Sequence, residues 1–227
     1  MRKQIELGPI NRKEVLRYLG YKGIGADKVI DALIDDCEAE VIKAAVPRYT
    51  YRVVSVTQKD NGVELDGTGL VLKGNSIKEH LKGCDMAALI AVTLSSGIDR
   101  LLRIMQASDL ARAVVSDSLA SAAIEQVCDK LEAIIKEELP EYNQTFRFGI
   151  GYGDLPLSQQ GDFLKVLNAP RLIGLNIGKT DMMVPTKSVT AVIGLTTGEV
   201  SAKNKGCMSC NLKGTCSFRE SGGHCNG

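Results

Sequence analysis

Tryptophan is absent from these 227 residues and aromatic side chains amount to 4%. Aliphatic and small side chains must therefore fill the interior, which favours closely packed helices and sheet. Net charge is equally scarce. With 28 basic and 27 acidic residues the formal charge is +1, which leaves no global field to draw in nucleic acid or an anionic membrane surface. Neither is expected as a partner. Long apolar runs are missing too. The longest uncharged one, Met86–Leu94, holds nine residues against the ~20 needed to cross a bilayer. The first residues, Met1-Arg-Lys-Gln-Ile-Glu-Leu7, are charged and lack the apolar stretch of a secretory signal. A cytoplasmic location is expected.

Acid–base machinery is also thin. Of the two histidines, His80 stands beside Lys78 and Glu79 and reads as a solvated surface residue, and His224 lies among the last cysteines. No nucleophile and base stand at a telling spacing. That absence fits a protein that positions a reactive cofactor and leaves the chemistry to it.

What is present describes an ordinary folded chain, 44% hydrophobic and 24% charged. Asn11-Arg-Lys-Glu14 is a candidate capping box for a short helix over 12–19. Asp27 can cap a second helix running to Ala45, with Val29, Ile30, Leu33, Ile34, Cys37, Val41 and Ala45 at helical spacing. The period then changes. Residues 49–56 are rich in β-branched and aromatic side chains, Lys59–Gly62 supplies a turn, and 63–72 continues extended, broken by Gly67 and Gly69, which predicts an antiparallel hairpin. A short helix is expected over 76–81. The apolar run ending at Leu94 reads as a central strand buried on both faces.

Two helices, over 98–107 and 110–138, follow. The small residues of Ser116–Ala123 suit close packing against the sheet or, alternatively, a ligand. Beyond Pro140 a helix within 158–167 and extended segments near 172–177 and 188–195 are expected. The fold class is α+β: a single domain over 1–200 with a twisted antiparallel sheet surrounded by helices, plus a Cys-rich tail over 201–227.

Gly149-Ile-Gly-Tyr-Gly153 could bring backbone close to a ligand, yet alternating glycines alone are a weak signal and fit a plain turn as well. Gly174-Leu-Asn-Ile-Gly-Lys-Thr180 has three residues between its glycines where a phosphate loop has four, so nucleotide hydrolysis is rejected. Cys37, Cys84 and Cys128 lie in apolar periodic segments and read as small hydrophobes. Cys207, Cys210, Cys216 and Cys225 crowd the tail. In a cytoplasmic protein their spacing suits zinc or an iron–sulfur cluster, with His224 able to exchange for Cys225; the alternative is a tail of free thiols.

Two segments carry a resemblance. Arg147-Phe-Gly-Ile-Gly151-Tyr152-Gly-Asp-Leu-Pro156 matches Arg-x-x-x-Gly-Tyr-x-x-x-Pro, and Thr180-Asp-Met-Met183-Val-Pro185-Thr-Lys-Ser188-Val189-Thr190 is similar to Ser-x-x-Met-x-Pro-x-x-Ser-Val-Ser. In that order the two resemble the S-adenosylmethionine-binding activation domain of cobalamin-dependent methionine synthase. Glu14–Gly23 and Leu81-Lys-Gly-Cys84 look like its compact stand-alone members.

The resemblance implies a chain that helps re-methylate a corrinoid oxidised to cobalt(II). An electron donor such as a flavodoxin or ferredoxin would restore cobalt(I), which takes the methyl group of S-adenosylmethionine. It implies that Arg147 binds the ligand carboxylate, that Gly149 and Gly151 admit the ligand to the backbone, and that Tyr152, the catalytic position, stands near the methyl group. A family glutamate aligns with Ser121, and Glu125 lies one helical turn on. Gly153 stands where the family has proline. The corrinoid-ligating pattern Asp-x-His-x-x-Gly is absent, so the cobalamin is expected on a partner, a methionine synthase or another corrinoid protein. Two other readings stay open: an electron-delivery protein built on the tail cluster, and a module that caps a corrinoid without a ligand of its own.

Overall fold

A computed structural model describes residues 3–21 and 28–199. Asp27, the Gly23 end of the N-terminal resemblance, His224 and the four tail cysteines lie outside the described residues.

In chain order the elements are α1 (Arg12–Tyr18), α2 (Lys28–Ala44), β1 (Arg48–Lys59), β2 (Gly62–Leu65), β3 (Leu70–Lys73), α3 (Asn75–His80), β4 (Met86–Thr93), α4 (Ser96–Ser108) and α5 (Leu110–Glu138). They continue with β5 (Asn143–Gln144), β6 (Phe148–Gly149), α6 (Gln160–Val166), α7 (Ala169–Ile173), β7 (Asn176–Ile177), β8 (Met183–Val184) and β9 (Ser188–Thr196). This is the expected α+β class, with helices and an antiparallel sheet of order β3-β2-β1-β4-β9-β5 in which β6 also pairs with β9. Packing divides the chain into two compact units.

One unit is Met1–Thr50, Ala91–Glu138 and Leu167–Val189. Its centre is α5, a 29-residue helix against which α1, α2 and α4 all pack. The small residues explain this. Ser116, Ser118, Ala120, Ala122 and Ala123 are buried and let neighbouring helices approach. Asn11 caps α1, its side chain accepting from the N–H groups of Lys13 and Glu14. The capping box does not close, however. The Asn11 N–H donates to Gln126 Oε1 at 2.7 Å, and Glu14 pairs with Arg17 instead. Along α2 the buried stripe is Ile34, Cys37 and Val41, whereas Val29 is exposed. The extended segment expected near 172–177 begins in the end of α7, which has Pro170 in its first turn and Gly174 in the left-handed conformation just past its end. Only Asn176–Ile177 is strand, paired with β8.

The other unit is Tyr51–Ile90, Leu139–Val166 and Thr190–Gly227. The expected hairpin is here a three-stranded meander. Val56 to Lys59 face Leu65 to Gly62, and β2 pairs in turn with β3. Gly67 and Gly69, both at positive φ, turn the chain between β2 and β3 rather than interrupting one strand. Helix α3 packs on β2 and α6 on β3, and Phe163 is fully buried. The run Ala87–Leu94 is buried at every position, as expected of a central strand. Cys37 and Cys128 are buried and Cys84 half-buried, all as free thiols. Among the described residues no helix is long and apolar enough to cross a membrane.

Candidate functional site

The Arg147 segment owes its shape to a register shift. Asn143 and Gln144 face Thr196 and Leu195, and the Thr145 N–H donates to the Gly194 carbonyl at 2.9 Å. Phe148 and Gly149, however, face Val192 and Ala191. Three steps from Thr145 to Phe148 thus match two from Gly194 to Val192, so the strand bulges by one residue, at Phe146-Arg147. Bulges of this kind re-aim a side chain out of the regular alternation. Arg147, half-buried, is carried on it.

Beyond the bulge come two tight turns. The Tyr152 N–H donates to the Gly149 carbonyl at 3.1 Å, and the Leu155 N–H to the Tyr152 carbonyl at 3.0 Å. Gly151 sits at φ 93° as the third residue of the first turn, and Gly153 at φ 58° as the second residue of the next. Both are left-handed positions that favour glycine. Proline, fixed near φ −65°, could not occupy position 153. Gly149 has a different task. A Cβ there would stand 2.8 Å from the Tyr152 ring, so its bareness makes room for that ring to fold back. Tyr152 packs edge-on to Phe148 and is still 69% exposed. Ile150 and Leu155 point into the core and hold the turns down.

Two residues that sequence reasoning missed or misread anchor this loop. The Asp154 carboxylate accepts from the N–H groups of Asn75 and Ser76 at 2.7 and 2.8 Å, at the start of α3. Those backbone donors hold its carboxyl below the ordinary value. His80 is no solvated surface residue. Its ring meets Phe146 edge-on and Phe148 at a tilt, and its Nε2 lies 3.0 Å from Thr145 Oγ1. Burial lowers its pKa from 6.5 to about 4, against a backbone hydrogen bond at Val192 that raises it. No local signal could have found it, since every partner comes from 65 or more residues along the chain.

Ser121 and Glu125 belong to the other unit, on α5. Ser121 is engaged there: its hydroxyl donates to the Asp117 carbonyl at 2.9 Å and accepts from Lys187 Nζ at 2.9 Å, while Lys187 also pairs with the Asp117 carboxylate at 2.8 Å. Burial, and then the Glu125 carboxylate, push the Tyr18 phenol above its usual value. The second motif segment is similarly occupied. Asp99 accepts from the Thr186 N–H and hydroxyl, and the buried Ser188 hydroxyl reaches Thr93 Oγ1 at 2.8 Å and the Pro185 carbonyl at 2.7 Å. Thr190, in the unit that holds Arg147, exchanges hydrogen bonds with the buried Gln160 side chain at 2.7 and 3.1 Å. Among the described residues no group of three His, Cys, Asp or Glu could hold a metal.

The chain therefore has the architecture of an α+β protein whose sheet edge carries a bulged, glycine-turned loop with an arginine and an exposed tyrosine. That fold is one already seen. The chain is similar to a solved structure described as the MetH reactivation domain bound to AdoHcy, with a TM-score of 0.63 over 94% of this chain and 82% of that one. Identity is 14%, so the likeness establishes the fold. No family model matches the chain, and no curated protein does.

Proposed function

We propose that this chain binds S-adenosylmethionine at the Arg147–Pro156 loop and serves the reductive re-methylation of a corrinoid carried by a separate methionine synthase or similar methyltransferase. The observation that carries this reading is the coincidence of the signature with the bulge and its two turns, within a fold shared with a domain solved with AdoHcy. The corrinoid supplies the nucleophile, cobalt(I), after one-electron reduction, and the sulfonium is the methyl donor. The protein's part is orientation.

Arg147 offers a guanidinium, suited to a bidentate pairing with the ligand carboxylate. Gly149 and Gly151 let the loop fold tightly, with the Tyr152 ring laid back over Gly149. In this reading the exposed Tyr152 ring is the group that stands near the methyl group. The residues present suit the carboxylate end of such a ligand well. On α5, Ser121 already has Lys187 and Asp117 as partners, so the proposal gives it and Glu125 only a supporting role. It extends to Cys207, Cys210, Cys216 and Cys225 as ligands of zinc or an iron–sulfur cluster, on the strength of their spacing. A cluster would also accommodate the electron-delivery reading.

Calorimetric titration with S-adenosylmethionine tests the proposal. The intact chain should bind, and Arg147→Ala should weaken binding by about 1.5–3 kcal/mol, as for a lost hydrogen bond to a charged group, with its melting transition retained. No binding by the intact chain would overturn the reading. Unchanged affinity in the folded variant would remove Arg147 from it.

A further inference from the structure

Three features of the Arg147 bulge converge on one side chain that no sequence motif singles out. The His80 ring lies 4.6 Å from the Phe146 ring and 4.9 Å from the Phe148 ring, centroid to centroid. Those are the two residues that flank Arg147. Its Nε2 faces the Thr145 hydroxyl, the residue that opens the bulge. A backbone hydrogen bond at Val192 ties it to the strand opposite Phe148, where the bulge closes.

The hydrogen-bond inventory fixes the roles. Thr145 Oγ1 accepts from the Gly194 N–H at 2.7 Å and has one proton to give. The choices are Nε2 at 3.0 Å and the Phe146 carbonyl at 3.3 Å. A neutral ring that donates to the Val192 carbonyl through its other nitrogen leaves Nε2 as an acceptor, so the hydroxyl proton goes there. Gly194 completes the arrangement. A Cβ at that position would stand 2.6 Å from Cys84 Sγ and 3.0 Å from Thr145 Cγ2, so only glycine lets the Leu81–Cys84 turn after α3, Thr145 and β9 close on one another.

We infer that His80 is a positioning residue for Arg147: through Thr145, Phe146, Phe148 and the Val192 backbone, it locks the bulge that aims the guanidinium. The inference rests on the reading of that bulge as a ligand site, but its structural half stands apart from it. A bulge is a place where the ladder gives up a hydrogen bond, so its geometry needs support from outside the sheet. Here the support comes from α3, whose first turn is also held by Asp154 from the same loop. The end of the loop grips the start of the helix, and the end of the helix grips the start of the loop.

Two variants of His80 separate hydrogen bonding from packing. His80→Phe keeps an aromatic ring between Phe146 and Phe148 and removes the acceptor. His80→Gln restores an acceptor near the Nε2 position. Amide hydrogen exchange over residues 145–149, with α5 as internal reference, gives a readout that needs no ligand. His80→Phe should speed exchange there by about tenfold, the upper end for one hydrogen bond, and His80→Gln should return it to within about twofold by the same measure. Affinity for S-adenosylmethionine should fall and recover in the same order. Thr145→Val should loosen the bulge at least as much as His80→Phe, since it also removes the acceptor of the Gly194 N–H, and the double variant should be no worse than Thr145→Val alone, because the bond to His80 is already gone there. Unchanged exchange in His80→Phe, strict additivity, or a loosened loop with unaltered affinity in a chain that binds would each overturn the inference. If the intact chain binds no S-adenosylmethionine while exchange follows the expected order, the lock stands and the ligand reading falls. Should His80→Phe not fold, Thr145→Val carries the same comparison.

Discussion

The two segments that carry the family resemblance have opposite physical characters. In Arg147–Pro156 the glycines make two tight turns, Tyr152 stands in solvent, and the anchoring contacts run to α3, from the loop's own Asp154 and from His80 to the flanking rings. In Thr180–Thr190 four polar side chains are spent internally. Thr186 bonds to Asp99, Lys187 to Asp117 and Ser121, Ser188 to Thr93, and Thr190 to Gln160. A spaced motif can thus fall on an open, glycine-turned loop in one place and on a set of paired polar side chains in another, and only the hydrogen-bond partners tell them apart. Substitutions in the first segment should change ligand affinity more than stability. Those in the second should do the reverse.

The largest expected effect separates the two segments by pH. His80 titrates near 6.5 when unfolded and at about 4 in the fold. A depressed value means the fold favours the neutral ring, so its contribution is complete above pH 6.5 and is lost as pH falls towards 4. The difference amounts to about 3 kcal/mol. The Asp154 carboxyl, also depressed, acts in a lower window, below its ordinary 3.8. In the second segment, the buried pairs at Ser188 and Thr190 are hydroxyls and an amide, with nothing to titrate there. Urea unfolding of wild type and His80→Phe between pH 7 and pH 4 should show the wild-type advantage shrinking across that window. Parallel curves would break the comparison.

Next in size is Thr190→Val, which keeps the shape of a strand residue and removes the hydroxyl. Gln160, buried, then loses both exchanges with it. Leaving a buried amide short of partners costs about 1–3 kcal/mol, and the midpoint of urea unfolding should fall accordingly. Affinity for S-adenosylmethionine should stay within about twofold, well under the effect of a direct ligand contact. A large loss of affinity with unchanged stability would give the second segment the role now assigned to the first.

Much of this architecture is legible in the sequence because its signals are local. The apolar run of β4, the Asn11 cap of α1, the periodicity of α2 and the length of α5 all follow from residues near one another in the chain. Where the structure differs, one cause is length and the others are distant partners. Five-residue α7 is too short for helical periodicity to show. The bulge exists only because residues 143–149 pair with β9, more than 40 residues later. His80 follows Lys78 and Glu79, and its neighbours in sequence gave it a solvated face. The aromatic rings that bury it arrive from Phe146 and Phe148. The resemblance singles out Arg147 and Tyr152 by spacing. It is silent on His80, Thr145 and Asp154, because a motif records spacing and not the contacts around it.

The smallest expected effect tests how far the internal network of the second segment matters at all. Lys187 is mostly buried, its side chain 16% exposed, but Asp117 across from it is 55% exposed. Water therefore screens the pair, and an exposed partner limits its value to under about 1 kcal/mol. Lys187→Met keeps the aliphatic stem and removes the charge, so Asp117 turns to solvent and Ser121 keeps its bond to the Asp117 carbonyl. Stability should fall by less than about 1 kcal/mol, and by less still in high salt, where such pairs are already weakened. The freed Ser121 hydroxyl gives the variant a second use. If Ser121 occupies the place of the family glutamate, releasing it from Lys187 should shift S-adenosylmethionine affinity, and a subsequent Ser121→Glu should shift it further in the same direction. Should affinity stay fixed in both while stability follows the small loss expected, Ser121 is a packing residue of α5 and the ligand site is confined to the Arg147 loop.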